Sequence, residues 1–147
     1  MSTSETVQSA RLSISPGYPA GVTEAMIETL VRAFYGRVRA DPVLGPIFTA
    51  RIADWEPHLR KMFDFWSSVT LMSGRYHGTP MPAHARIAEI GPEHFGRWLE
   101  LFAETAQDVC PPEAAALFID RAQRIAQSLQ MGIAFTRGEL PELHGGA

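Results

Sequence analysis

Several absences narrow what this chain can be. It has one cysteine, Cys110, in 147 residues. An intramolecular disulfide is therefore excluded, and a reducing compartment fits. Lys and Arg number 13 against 16 acidic residues, a formal net charge of −3, and no basic run stands out. Nucleic acid is thus a poor candidate for a main partner. No segment is long and apolar enough to span a bilayer, and the first residues lack the basic-then-apolar pattern of a secretory signal. The expectation is a soluble cytoplasmic protein without a membrane partner. No credible strand, internal repeat or second domain is visible. His-Glu-x-x-His and paired-cysteine spacings are also missing, so a zinc reading is weak. A histidine-based metalloenzyme is remote for want of a carboxylate cluster.

What remains is a chain that is 46% apolar, enough for one domain with a proper core. Residues 1–20 read as a loose polar leader, 21–137 as the domain and 138–147 as a polar tail. Thr23 is a good N-cap, and Met26, Ile27, Leu30, Val31, Phe34, Tyr35 and Val38 follow at helical spacing. Asp41-Pro42 stops that helix. DPVLGPIF (residues 41–48) predicts a compact, turn-rich corner with Leu44, Ile47 and Phe48 apolar enough for burial.

Asp54 can cap the next helix, about residues 55–72, whose stripe is Leu59, Met62, Phe63, Trp66 and Val69. Ser73-Gly74 ends it. Gly78, Pro80 and Pro82 then make a loop with fixed corners, and a short helix is expected near residues 82–89. Gly91-Pro92 opens another helix carrying Phe95, Trp98, Leu99, Phe102, Thr105 and Ala106. Pro111-Pro112 separates the last helix, about residues 113–136, with Leu117, Phe118, Ala122, Ile125, Leu129 and Ile133 as its apolar stripe.

The chain is therefore all-α, with aromatics concentrated on its middle helices. Such helices can cross and leave a pocket between them. Of the five histidines, His84 sits among Met81, Ala83, Ala85, Ile87 and Ile90. On residues alone it is more readily a partly buried or capping side chain than a ligand. His58 and His94 stand in the first turns of their helices, where exposure or capping is the ordinary role. His77 and His144 read as solvated, and the Met, Phe and Trp stripe reads as core.

Taken together, several motifs in order resemble the group III truncated haemoglobins of bacteria. They are FYGRVRADPVLGPIF at residues 34–48, Trp55-x-x-His58, Phe65-Trp66, Tyr76-x-Gly78-x-Pro80-x-x-x-His84 and HFGRWLELF at residues 94–102. The similarity runs from about residue 27 to 135, with no departure at an essential position. It implies a truncated globin fold, a two-over-two helical sandwich around haem b. His84 matches the proximal iron ligand. Tyr35 and Trp98 match the polar residues of the distal pocket, and His58 the distal histidine. Phe48 matches the phenylalanine that packs on the haem at the corner. Met62, Phe65 and Trp66 match lining positions of the distal helix, and Phe34, Tyr76, Ile87 and Phe95 are expected to touch the haem. Lys61 and Arg60 are candidates for its propionates.

The activity so implied is reversible binding of O2, NO or CO at a histidine-ligated iron, with nitric oxide or peroxide detoxification rather than bulk O2 transport. An unidentified reductase and a monomer or weak dimer complete the expectation. The competing reading is a haem-free helical interaction or sensor module with the same fold. It has no need of His84 together with a polar distal set.

Overall fold

The computed structural model describes residues 14–77 and 91–136. Among them lie five helices and no strand: α1 Glu24–Ala40, α2 Leu44–Arg51, α3 Trp55–Leu71, α4 Pro92–Val109 and α5 Pro112–Thr136. The short helix expected near residues 82–89, with His84 and Ile87, lies outside the described residues, as do residues 1–13, the tail and the side chain of Ile133.

Local chemistry sets most of the boundaries. Thr23 is extended and its Oγ1 accepts the Met26 amide at 3.1 Å, closing the open end of α1. Asp41, extended before Pro42, ends the helix. Its carboxylate then starts the next one: Oδ2 accepts the amides of Val43 (3.0 Å) and Leu44 (2.9 Å). The corner expected as turns is thus an eight-residue helix, α2. Pro46 is tolerated there because first-turn amides need no partner within the helix. Asp54 does occupy the N-cap of α3, but its side chain makes no cap bond. The left-handed residue that closes α3 is Met72 (φ 56°), one position before the Ser73-Gly74 stop expected.

Packing follows the apolar faces. Ile27, Leu30, Val31, Phe34, Tyr35 and Val38 are all buried on α1. Helices α1 and α3 pack as one pair and α4 and α5 as another, with α1 resting on α4 to join them. Phe102 is the hinge of the core. Its ring stacks on Trp66 of α3 (5.1 Å) and on Trp98 of its own helix (5.4 Å), and meets Phe34 of α1 edge-on at 5.2 Å. Such pairs add about 0.5–1.5 kcal/mol each beyond their buried area.

The loose leader expected over residues 1–20 requires correction at its end. Ser15 is buried, and the Gly17 amide donates to the Thr70 carbonyl at 2.7 Å. Glycine is required there, because a Cβ would lie 2.6 Å from that same oxygen.

Candidate functional site

Between the two helix pairs lies a cavity of about 120 Å³. Tyr35 from α1, Phe48 from α2, His58, Met62, Phe65 and Trp66 from α3, Tyr76 from the following loop, and Phe95 and Trp98 from α4 all line it.

Helical geometry gathers them. His58, Met62, Phe65 and Trp66 recur at steps of four and three on one face of α3, so they stand in a row along one wall. Trp98 is one turn beyond His94 on α4. The Tyr76 ring is brought against Phe65 (5.2 Å) by its own amide, which donates to Ser68 Oγ at 2.9 Å. Ser67 and Arg75 both bond Glu24 at the start of α1, tying that loop down.

Three of the residues expected at the haem, Phe34, Lys61 and Arg60, are not among those lining the cavity. Phe34 does not line the cavity. One residue from Tyr35 on a helix is about 100° around the axis, and that turn places Phe34 behind the wall, edge-on to Trp98 at 5.3 Å. Lys61 is exposed and outside the lining, as is Arg60. His84 and Ile87 lie outside the described residues.

The lining also includes side chains not singled out for the site: Leu44, Ile47, His94, Ile125, Ala126 and Leu129. Leu44, Ile47, Ile125 and Leu129 carry an apolar signal that reads only as burial. His94 reads as a helix-start residue, which it also is. Its Nδ1 accepts the Gly91 amide at 2.8 Å, while its own amide donates to the Gly91 carbonyl at 3.0 Å.

Electrostatically the cavity is an apolar chamber with a few donors. Burial pushes the Tyr35 phenol well above its ordinary pKa, and the Tyr76 phenol upward in the same way. Tyr35 is therefore a neutral O–H donor at any ordinary pH. Among the described residues, neither the Tyr35 hydroxyl nor the Trp98 indole N–H bonds a protein group. The His58 ring stands perpendicular to Tyr35 at 5.0 Å and to Trp55 at 5.8 Å. Arg39 in turn lies 4.7 Å over the Trp55 ring.

Next to Trp98, Arg97 bonds Asp41 Oδ1 through Nε (2.9 Å) and a terminal nitrogen (2.8 Å). Burial would raise the Asp41 pKa. The Arg97 guanidinium and the Leu44 and Val43 amides outweigh it and hold the carboxyl below its usual range. This pair fixes α4 against the start of α2, and so fixes Trp98 relative to Phe48.

The donor set suits a flat apolar group that brings most of its own metal ligands. The walls are aromatic and aliphatic, and the polar groups are few and discrete. Among the described residues no group of three or more His, Cys, Asp or Glu could hold a bare ion. A metal inside a porphyrin needs only one axial imidazole from the protein. The residues present therefore fit haem.

Comparison with known proteins agrees. Residues 20–131 match the family model of bacterial-like globins. The chain is 34% identical over 113 residues to a group 3 truncated haemoglobin of Campylobacter jejuni, covering 74% of this chain and 89% of that one. The crystal structure of the group III truncated haemoglobin from Campylobacter jejuni superposes with a TM-score of 0.71, at 34% identity and the same coverage. The all-α architecture is that of the truncated globin fold. Among the described residues no helix is long and apolar enough to cross a membrane. The chain belongs to the bacterial-like globin family, and that membership implies a haem cofactor and small diatomic ligands.

Proposed function

We propose that this globin holds haem b through His84 and binds O2 and other small diatomic ligands, with turnover of nitric oxide or peroxide rather than oxygen delivery as its task. The observation that carries the reading is the pair of donors, Tyr35 Oη and Trp98 Nε1, on one apolar cavity with no protein acceptor among the described residues.

When bound, haem supplies the iron to which O2, NO or CO attaches. The chain supplies the rest. The aromatic walls exclude water, and a ligand that gains negative charge meets two hydrogen-bond donors. A hydrogen bond to a charged group is worth about 1.5–3 kcal/mol, a ten- to hundred-fold effect on release. A protein that releases O2 that slowly delivers it poorly, and can instead hold it for reaction with nitric oxide. The same donors can assist cleavage of a peroxide, although a histidine ligand gives less electronic push than a thiolate. Repeated turnover requires an electron donor, a cytoplasmic reductase on this reading. On this reading His58, against Tyr35 and Trp55, controls entry.

The test is an absorption spectrum of the haemin-loaded protein in ferric, dithionite-reduced and carbon-monoxide-bound forms, with His84→Gly beside it. A Soret band that shifts on reduction and again with carbon monoxide is expected, and it is lost in His84→Gly. A reduced spectrum of two strong axial ligands would assign His58 to the iron instead. Failure of the native chain to retain haem would leave a haem-free helical module.

A further inference from the structure

We propose that His94 is an anchoring residue for the bound porphyrin, donating its Nε2–H to a porphyrin carboxylate. This rests on the haem reading above and extends it to a residue outside the iron's own surroundings.

The ring lines the cavity one turn before Trp98, with its side chain 17% exposed. Its Nδ1 is already engaged, accepting the Gly91 amide at 2.8 Å. The other polar group near it, Glu93 Oε1, is 3.6 Å from the same nitrogen, too far to bond. A neutral imidazole that accepts at Nδ1 carries its proton on Nε2. Such a nitrogen has no lone pair for a metal, so His94 is held as a donor rather than as an axial ligand.

Among the described residues no group accepts from Nε2. Its immediate neighbour Phe95 clusters with Ala126 and Leu129 of α5, with Leu99 and Ile125 around them. A donor on such a wall wants an acceptor from the ligand. The porphyrin is apolar except at its metal and its carboxylates, and the metal is excluded by the tautomer. The first turn of the 18-residue α4 adds the positive end of the helix dipole, which favours the same negatively charged group. Sequence reasoning sees only half of this residue, the cap. The ring acquires a further role because α4 brings it to the cavity.

The experiment compares release of haemin and of haemin dimethyl ester, which lacks free carboxylates, to an excess of a haem-scavenging apoprotein. The full-length native chain, His94→Phe and His94→Gln are each loaded with both forms, and folding is checked by circular dichroism. The native chain is expected to lose the ester about ten-fold faster than haemin, the lower end for a hydrogen bond to a charged group. That ratio collapses by about ten-fold in His94→Phe and is partly restored in His94→Gln, whose amide can still donate. An unchanged ratio in both variants would assign the carboxylate to other residues. Equal acceleration of both haem forms would make His94 a helix cap only. Either result overturns the proposal while leaving the haem reading intact, whereas a native chain that keeps neither form overturns both.

Discussion

On the function proposed, Tyr35 concentrates the chemistry of this protein in one side chain. Its ring is gripped by Phe34, Phe48, Trp55 and His58, at centroid distances of 4.9, 6.1, 6.0 and 5.0 Å. The hydroxyl is the one part of it that no described protein group satisfies. The residue lines the cavity, so on the reading proposed a bound ligand is the partner its hydroxyl can serve. Removing only that oxygen leaves the packing intact. Tyr35→Phe is expected to speed O2 dissociation about ten-fold or more, read by stopped-flow displacement with carbon monoxide. An unchanged rate would remove Tyr35 from the role. Its place on α1 was legible as an apolar-face residue at helical spacing. That it, and not its neighbour Phe34, faces the cavity follows from the rotation of α1 against α4, which periodicity alone does not give.

The helices α1, α3, α4 and α5 were legible from caps, prolines and apolar period, and the structure returns them within a few residues of the expected ends. Two features were not. The corner helix α2 forms because Asp41 reaches forward to two amides, a bond whose partner the proline-rich string conceals. The packed end of the leader depends on a contact between Gly17 and the last turn of α3, residues far apart in sequence. That contact gives a direct test. In Gly17→Ala the new methyl meets the Thr70 carbonyl at 2.6 Å, an approach that backbone must relieve by moving. Overpacking of this kind costs about 1–3 kcal/mol, so Tm should fall by roughly 3–9 °C in a thermal melt followed by circular dichroism. An unchanged Tm would mean that residues 14–20 add nothing to the stability of α3.

The Asp41–Arg97 pair links the two halves of the fold and makes its stability depend on pH. The folded pKa of Asp41 lies below its usual value. Its contribution is therefore present above the unfolded pKa of about 3.9 and is lost as pH falls through the lower, folded pKa. Asp41→Asn keeps the cap oxygen but removes the charge that Arg97 meets. At pH 7 the variant should unfold at lower urea than the native chain. The gap should narrow as pH drops below about 4, where the native carboxyl also becomes neutral. A gap that stays constant down to pH 3 would mean that the charge of Asp41 contributes nothing. Because Trp98 follows Arg97 directly, the same variant reports whether this tie positions Trp98, the donor proposed above.

Composition, helical period and the ordered motifs were enough to give an all-α chain and its globin resemblance, because caps, breakers and apolar spacing act over a few residues. The cavity itself was settled only by tertiary packing. Tyr35, His58, Tyr76 and Trp98 come from four separate segments, and their convergence depends on how α1 crosses α3 and α4. The same holds for His94 and Lys61, one facing the cavity and the other solvent. A residue's type and spacing define what it can do, while the crossing of the helices defines what it can reach.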